Sequence, residues 1–348
     1  MESGQLGRMR ESLMRWYRKY RRDLPWRNAH DPYAIWISEI MLQQTRVSGM
    51  LEHYARFMER FPTVVSLALA PEEDVLTLWS GLGYYRRARL LHRAAQVVMC
   101  EHGGAIPKEV TALRRMPGVG PYTSAAIASI AHGQPLAAVD GNVERVLARL
   151  EGFAEHRGAV KWTKLAQHYL DPSRPGEFNQ AMMELGAMVC TPRAPQCKIC
   201  PIYAWCRTRG EHPVTPRKQM RSVQVAYALV TRGGDKPREL LMEQRPAGVS
   251  IMPGMWELPQ LPSIPENLEA EIIARHSITN TKYYVRVFRI AEADAARHLA
   301  SAQDDWVPLT KLPNMPLTGL ARKLLRRARL LKLDTETRPR RPEAPLEF

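Results

Sequence analysis

Four of the five cysteines in this chain lie within seventeen residues, at Cys190, Cys197, Cys200 and Cys206. The spacing C-x6-C-x2-C-x5-C gathers four sulfur ligands in one short loop, which suits a tetrahedral metal site. Zinc and an iron–sulfur cluster both fit this pattern. A disulfide framework is not expected where the cell keeps thiols reduced. The fifth cysteine, Cys100, lies near the end of a predicted helix and is expected to be a core thiol.

The chain carries a large excess of positive charge, with 50 Lys and Arg against 35 Asp and Glu in 348 residues, a formal net charge of +15. Such a surplus favours a polyanionic partner, with nucleic acid ahead of an anionic membrane. Basic runs occur as "MRWYRKYRR" and "YYRRARLLHR" near the start and as "RKLLRRARLLKLDTETRPRRP" near the end. No apolar run has the length of a bilayer span, and the first residues lack the apolar core of a signal peptide. We therefore expect a cytoplasmic protein of bacterial type, associated with the nucleoid and not with a membrane.

The length predicts about two domains, and the hydrophobic pattern of the sequence changes from helical to strand-like between them. We expect a helical domain at 1–206, a linker at 207–222, a second domain at 223–333 and a disordered tail at 334–348. The second domain contains short β-rich runs, "VQVAYALVTR", "RELLMEQRP" and "KYYVRVFRIA", separated by turn residues. Helical segments are predicted there at about 263–276 and 317–331. The fold class is therefore multidomain, all-α followed by α+β.

A predicted helix, "DPYAIWISEIMLQQTRV" at 31–47, places Trp36, Ile40, Gln43 and Val47 on one stripe at the helical period. Asp followed by Pro at its start is a typical helix beginning. We expect this stripe to face the core of the first domain.

The stretch "MPGVGPYTS" at 116–124 lies between two predicted helices and predicts a helix–hairpin–helix. Gly118 and Gly120 do not form a dinucleotide fingerprint, because the third glycine would fall at Thr123. Backbone N–H groups at the start of the second helix can bind a phosphate. The alternative is a glycine-rich bend between two core helices. About twenty residues later, Asp140 in "AAVDGNV" stands at a predicted helix start, where an N-cap is its ordinary role.

In combination, these features resemble the endonuclease III superfamily of DNA glycosylases and, within it, the A/G-specific adenine DNA glycosylases of the MutY family. The resemblance covers roughly residues 10–210 and rests on "LPWR", "DPYAIWISEIMLQQTRV", "LWSGLGYYRRAR", "MPGVGPYTSAAI", "VDGNVERVLAR", "FNQAMMELGAMVC" and the cysteine loop. It implies a 4Fe-4S cluster on the four cysteines rather than zinc. It also implies a monomer that acts on double-stranded DNA and removes adenine mispaired with 8-oxoguanine or G.

The resemblance also implies catalytic roles for particular residues. Bifunctional members of the superfamily carry a lysine just after the hairpin, where this chain has Tyr122, and without an amine a Schiff base is not expected. Glu39 stands at the position of the acid that protonates adenine. Asp140 is expected to stabilise the cationic sugar, with Asn142 and Tyr122 orienting the reaction centre.

Other residues match family positions that contact DNA. Trp26, Arg27 and Glu184 resemble the wall of the adenine pocket, although Trp26 can equally be a core residue. Gln44 and Tyr84 are expected to enter the base stack, with Leu42 nearby. Packing is the alternative for Leu42.

The second domain resembles a Nudix fold through "IMPGMWELPQLP", and "PGMWELP" is typical of the C-terminal domain of adenine glycosylases. The following segment, "ENLEAEIIARH", lacks the R-E-x2-E-E cluster that gathers metal, so pyrophosphate hydrolysis is not expected. In the family this domain reads 8-oxoguanine through a Phe-Ser-His pattern. The corresponding residues here are Ile278, Thr279 and Asn280, and the histidine is missing.

Two alternatives stand beside the adenine glycosylase. A mismatch thymine glycosylase of the same superfamily would share Tyr122, Asp140 and the cysteines, but Glu39 and the β-rich domain argue against it. A non-catalytic mismatch-binding protein would keep the scaffold without needing both carboxylates.

Overall fold

The computed structural model describes residues 3–27, 31–45, 47–153, 159–210, 219–234, 236–249, 251–278, 280–299 and 304–331. The chain divides into two compact units. The first comprises Met1–Val75 and Arg86–Arg217, and the second comprises Leu76–Tyr85 and Lys218–Phe348. The predicted domain boundaries stay predictions, because residues 211–218 and the tail from 332 onward lie outside the described residues. The grouping of Leu76–Tyr85 with the C-terminal residues was not predicted.

Helices dominate the described part of the first unit. They are α1 Ser3–Tyr20, α2 Pro32–Leu42, α3 Val47–Arg60, α4 Val64–Ala68, α5 Glu72–Trp79, α6 Arg86–His102, α7 Val110–Leu113, α8 Pro121–His132, α9 Gly141–Glu151, α10 Ala159–Tyr169 and α11 Pro175–Met188. The last residues of α5 belong to the second unit. Short 3-10 turns occur at Pro25–Arg27, Cys197–Ile199 and Tyr203–Trp205.

Helix α2 is shorter than the sequence predicts. Trp36 and Ile40 are buried as expected, but the helix ends at Leu42, so Gln43 and Val47 do not extend the stripe. Arg87 on α6 is the physical reason, because its guanidinium donates to the carbonyls of Ile40 at 2.8 Å and Met41 at 3.0 Å. Those carbonyls are left without partners where a helix stops.

Two glycines determine how closely the helices approach. Gly118 in the hairpin has a left-handed φ of 77°, and a Cβ there would lie 2.8 Å from the Cβ of Leu90. Gly186 on α11 lies against the start of α9, where a Cβ would come within 2.6 Å of the Cβ of Asn142. Side chains at these positions would separate the elements that carry the site.

One apolar core holds α1, α9, α10 and α11 together. Its buried members include Met9, Leu13, Val146, Trp162 and Leu185. Cys100 does not belong to a core: it is exposed on α6, and the prediction of a core thiol is wrong. It occupies the outer side of an amphipathic helix that buries Leu91 and Val98.

The second unit is α+β. Its elements are β1 Arg221–Leu229, β2 Thr231–Arg232, β3 Glu239–Gln244, β4 Trp256–Glu257, β5 Ile272–Ile278, β6 Thr281–Arg289, α12 Glu292–His298, β7 Asp304–Pro308, a 3-10 turn Leu309–Asn314 and α13 Gly319–Arg327. One sheet has the order β1-β6-β5, with β1 parallel and β5 antiparallel to β6. The other has the order β2-β3-β4, with β7 paired to β3. The predicted order, an all-α part followed by an α+β part, is confirmed, and the Nudix-like character of the second part stays a prediction.

The predicted helix at 263–276 is wrong, while α13 confirms the one near 317–331. Residues from Ile272 onward form β5, and Ile272 and Ala274 are buried while Ile273 and Arg275 are exposed. This two-residue alternation fits a sheet and not a helix, and pairing with β6 overrides the helix-forming composition. In the part of the chain that the structure describes, none of the helices combines the length and apolar character needed to cross a bilayer.

Candidate active site

A cavity of about 890 Å³ lies in the first unit, where the ends of several helices meet. The turn after α2, the hairpin, and the first residues of α8 and α9 form part of its wall, and α11 forms another part. Its lining includes the predicted site residues Trp26, Arg27, Glu39, Leu42, Gln44, Gly118, Gly120, Tyr122, Asp140, Asn142 and Glu184. Residues spread over more than 150 positions of sequence therefore share one space.

Glu39 is the buried acid of this cavity. It lies on α2 among buried apolar neighbours and is only 6% exposed. Burial raises the pKa of its carboxyl, and the negative charge of Asp140 raises it further. A hydrogen bond from Tyr122 and the charge of Arg27 act in the opposite direction but do not cancel the rise. Glu39 is therefore suited to hold a proton and donate it.

Tyr122 is the partner of Glu39. It lies in the first turn of α8, and its hydroxyl donates to Oε2 of Glu39 at 2.6 Å. Burial raises the pKa of the phenol well above its usual value, and the carboxylates of Glu39 and Asp140 add to this. The phenol therefore remains a neutral donor at physiological pH.

Asp140 is the N-cap of α9, as its sequence context predicts. Its Oδ1 accepts from the backbone N–H groups of Asn142 at 2.9 Å and Val143 at 2.8 Å. Its Oδ2 accepts from Nδ2 of Asn142 at 2.7 Å. The cap and the side-chain amide thus fix both oxygens of a carboxylate that also lines the cavity.

Arg145 is a site residue that the sequence reasoning missed. Its guanidinium donates to Oδ1 of Asn142 at 2.9 Å, to the carbonyl of Gly186 at 2.7 Å and to the carbonyl of Cys190 at 2.8 Å. The sequence spacing could have indicated this contact, because Arg145 follows Asn142 by three positions and residues three apart are neighbours on a helix. Asn142 is therefore oriented by Asp140 and Arg145 together.

Glu184 is fully buried on α11 and is held by two arginines. It accepts from the backbone N–H of Arg22 at 3.0 Å, from Nε and Nη2 of Arg22 at 2.7 and 2.8 Å, and from Nη2 of Arg27 at 2.8 Å. Burial alone would raise the pKa of Glu184, but the two arginines outweigh burial and hold it below its usual range. Glu184 is therefore an acceptor-only group in the cavity wall.

Arg22 was also missed, because it stands in a basic run that reads as surface charge. Its partner Glu184 lies 162 positions away, so no local spacing could have revealed the pair. Trp26 is both a core and a lining residue: it is 5% exposed and packs edge-on against Tyr54, with ring centroids 5.1 Å apart.

The turn after α2 presents Gln44 at the rim of the cavity. Gln44 has a left-handed φ of 57°, which a side chain rarely adopts. Arg87 holds both sides of this turn, since it donates to the carbonyl of Ile40 and also to Oγ1 of Thr45 at 3.3 Å. Such strain persists only where the surrounding structure enforces it, and it often marks a functional position.

Comparison with known proteins agrees with this geometry. Residues 37–172 match the description of an HhH-GPD superfamily base excision DNA repair protein. Adenine DNA glycosylase from Schizosaccharomyces pombe is 35% identical over 337 residues, which cover 76% of this chain and 72% of that protein. The chain belongs to the adenine DNA glycosylase family. The human family member is 47% identical over 213 residues, covering 58% of this chain.

The human family member is longer than this chain. The match covers 39% of the human protein, so the chain spans about two fifths of that relative. Among solved structures, a thermostable thymine-DNA glycosylase is 28% identical with a TM-score of 0.56, covering 59% of this chain and 97% of that one. The helical fold is thus shared with a glycosylase that is named for a different base.

The four clustered cysteines, which the family resemblance assigns to a cofactor, come together in the structure. Cys190, Cys197, Cys200 and Cys206 line one small cavity of about 20 Å³, and all are free thiols. Arg149 is buried beside them and donates to Sγ of Cys190 at 3.4 Å. As the side chains stand, no group of three or more His, Cys, Asp or Glu residues in the described ranges is placed to ligate a metal ion.

The remaining predicted residues belong to the second unit. Tyr84 is 44% exposed and has a left-handed φ of 50°. Ile278 ends β5, and Asn280 lies in the turn before β6, where it is exposed. Thr279 lies outside the described residues. The roles of these residues stay predictions.

Proposed function

We propose that this protein is a monofunctional DNA glycosylase that flips adenine mispaired with 8-oxoguanine or G out of double-stranded DNA and removes it. One observation carries the proposal: a buried Glu39, hydrogen-bonded to Tyr122, shares its cavity with the fixed carboxylate of Asp140. A cavity of about 890 Å³ has room for a flipped nucleotide.

Glu39 acts as the general acid. Adenine leaves poorly as an anion, and a proton delivered to its ring nitrogen N7 lets it depart as a neutral base. The raised pKa of Glu39 keeps the proton available near neutral pH. The carboxylate that results stays in hydrogen-bonding contact with Tyr122.

Asp140 stabilises the sugar. Breaking the bond between the base and C1′ leaves a positively charged, oxocarbenium-like sugar, and a fixed carboxylate nearby lowers the energy of that charge. A water molecule then adds to C1′ and loses a proton, which completes the hydrolysis. One protonated and one ionised carboxyl in one site is the division of labour found in glycoside hydrolysis.

The chemistry ends at base release. Among the described residues that line the cavity there is no lysine, and Tyr122 takes the place where bifunctional relatives would need an amine. A phenol with a raised pKa does not form a Schiff base. The DNA backbone should therefore remain intact after adenine leaves.

Glu184 supports the adenine pocket through the arginines that it holds. It is fully buried, and its two oxygens accept from Arg22 and Arg27, so it fixes those guanidinium groups in the cavity wall. For the opposite base, we propose that Ile278 and Asn280 take part in reading 8-oxoguanine, with Thr279 between them in the sequence. An apolar wedge and an amide are chemically suited to stacking on a base and hydrogen-bonding its edge.

We also propose that the four clustered cysteines hold a 4Fe-4S cluster. The donor set fits in number and in chemistry, because four free thiols line one cavity and the guanidinium of Arg149 lies against one of them to balance negative charge. A cluster would cross-link the loop that follows α11. Iron and acid-labile sulfide analysis, together with the visible absorption of the purified protein, tests this proposal. Zinc without sulfide would refute it.

The activity is tested by single-turnover adenine release from duplexes carrying A opposite 8-oxoguanine, A opposite G and A opposite T. Release from the first two and none from the third supports the proposal. Release of thymine from a T:G duplex instead would indicate a mismatch thymine glycosylase. Tight binding without release of any base would leave a non-catalytic mismatch-binding protein.

A further inference from the structure

The loop between α5 and α6 belongs to the same compact unit as the C-terminal residues. It reads "SGLGYY", and three of its residues have left-handed φ angles: Gly81 at 106°, Gly83 at 73° and Tyr84 at 50°. The glycines adopt this conformation without strain, but a tyrosine there costs about 1 kcal/mol or more. Since Tyr84 is 44% exposed, burial of its own ring does not explain why the strain is kept.

Two hydroxyl groups on either side of Tyr84 meet one backbone carbonyl from the C-terminal part of the unit. Oγ of Ser80 donates to the carbonyl of Leu317 at 2.7 Å, and the hydroxyl of Tyr85 donates to the same oxygen at 3.2 Å. Both side chains are buried. The tyrosine hydroxyl also accepts from the N–H of Gly81 at 3.3 Å, which ties the two ends of the loop together.

A third contact completes this latch, by which we mean Ser80, Tyr85, Leu317 and Arg322. Nε of Arg322 donates to Oγ of Ser80 at 3.1 Å, so the serine hydroxyl both donates and accepts. A buried hydroxyl with a donor and an acceptor in place has a defined orientation. The loop is thus fixed by hydrogen bonds that originate in residues far away in the sequence.

The carbonyl of Leu317 is itself firmly placed. Leu317 is fully buried and forms a β-bridge with Trp256 of β4. The N–H of Trp256 donates to Pro316, and the N–H of Thr318 donates back to Trp256, both at 2.9 Å. Thr318 then caps α13 by accepting from the N–H of Ala321 at 3.1 Å. The acceptor of the latch therefore belongs to a strand–helix junction and not to a loose loop.

We propose that Ser80 and Tyr85 are positioning residues through which the C-terminal part of the protein holds Tyr84 in its strained, exposed conformation for insertion into DNA. The inference rests on the proposed function and on the family resemblance, from which Tyr84 is expected to enter the base stack beside the mispair. A ring that is held in place before binding loses less conformational freedom when it inserts. Base flipping then depends on Leu317 and Arg322 as well as on the glycosylase cavity.

The test uses the full chain and four variants: Ser80→Ala, Ser80→Thr, Tyr84→Ala, and Ser80→Ala combined with Tyr84→Ala. Ser80→Ala removes the donor, and Ser80→Thr keeps a hydroxyl at the same place as a matched control. Two quantities are measured on an A:8-oxoguanine duplex at saturating protein. They are the single-turnover rate of adenine release and the fluorescence rise of a 2-aminopurine placed next to the mispair, which reports unstacking.

We expect Ser80→Ala to lower the rate and the fluorescence rise by about fivefold, the usual net effect of one buried hydrogen bond. Ser80→Thr should retain both signals. In the Tyr84→Ala background, Ser80→Ala should cause no further loss, because its effect passes through Tyr84. Tyr85→Phe, which removes the second donor, should reproduce the pattern if Ser80→Ala does not fold.

An equal fractional loss from Ser80→Ala in both backgrounds would overturn the proposal, since Ser80 would then act independently of Tyr84. Wild-type fluorescence in a folded Ser80→Ala variant would overturn it as well. If the wild-type protein unstacks the reporter but releases no adenine from any duplex, the proposed chemistry fails. The fluorescence comparison still decides whether the latch acts on Tyr84.

Discussion

The hydroxyl of Tyr122 on α8 donates to Oε2 of Glu39 on α2 at 2.6 Å. The phenol stays protonated because its pKa is raised, so it remains the donor in this hydrogen bond. Since Oε2 accepts from Tyr122, Oε1 is the oxygen placed to carry the acidic proton of Glu39. The pair thereby fixes which oxygen serves as the acid.

The rate of adenine release should fall as pH rises, because Glu39 must be protonated to act. Its raised pKa moves this loss above the ordinary carboxyl range. Glu39→Gln should abolish release while keeping DNA affinity, measured by single-turnover assays and a binding titration. A rate that is independent of pH up to the alkaline range would contradict this role.

The raised pKa of Glu39 should also make the stability of the fold depend on pH. A carboxyl whose pKa is raised in the folded state stabilises the fold at pH below its unfolded pKa, and that contribution is lost as pH rises through the folded pKa. Glu39→Gln cannot ionise, so its free energy of unfolding should exceed that of the wild type by a margin that grows with pH. Urea titrations at several pH values measure this margin.

Tyr122→Phe should shift the pH dependence of the rate in a defined direction. The hydrogen bond from Tyr122 lowers the pKa of Glu39, so its removal lets the pKa rise further. The fall in activity should therefore move to higher pH, even though the maximal rate decreases through poorer orientation of the acid. A shift to lower pH would show that the hydroxyl does not stabilise the ionised form.

Asp140→Asn should lower the rate of release by about 100-fold or more, the usual effect of losing a fixed charge at the reaction centre. The variant should remain folded, because Asn is as good an N-cap as Asp. Asp31→Asn is a matched control, because Asp31 caps α2 in the same way. It accepts from the N–H groups two and three positions later, those of Tyr33 and Ala34. If both variants lose activity equally, the role of Asp140 is structural only.

Gly118→Ala should destabilise the first unit by about 1–3 kcal/mol, because its φ of 77° disfavours a side chain and the new Cβ would meet Leu90 at 2.8 Å. DNA affinity should fall with it, since the hairpin N–H groups would move. Gly120→Ala is the control: nothing lies within 4 Å of its Cβ position, and its φ is −88°. Thermal melting and a DNA titration compare the two, and equal stability loss would contradict the steric explanation.

Glu184→Ala should cost about 3 kcal/mol of stability, because it leaves the charges of Arg22 and Arg27 without their buried partner. The pKa of Glu184 is lowered, so its contribution is present above the unfolded pKa and is lost as pH falls through the folded one. Glu177→Ala on the same helix removes an exposed ion pair with Arg18 and should cost less than about 1 kcal/mol. Urea unfolding at neutral and acidic pH distinguishes these expectations.

Several features could be predicted from the sequence because their causes are local. The cap at Asp140, the tight hairpin around Gly118 and the start of α8 follow from residue types within a few positions of one another. The order of an all-α part and an α+β part follows from hydrophobic periodicity. The close grouping of the four cysteines also follows from their short spacing, since a chain of that length cannot separate them far.

Local composition misled the prediction at 263–276, where strand pairing with β6 outweighs helix propensity. It also misled at Gln43 and Val47, because the end of α2 is set by Arg87 from another helix. Pairings across long stretches of chain leave no periodic signal in the sequence.

The sequence by itself determined which chemical groups this protein has: two carboxylates, a tyrosine where an amine would change the reaction, and a cluster of thiols. Only the tertiary structure decided what those groups can do. It buries Glu39, and so raises its pKa, and it surrounds Glu184 with arginines, and so lowers that pKa. The physical reason is that a pKa depends on desolvation and neighbouring charge, which are set by residues that meet only when the chain has folded.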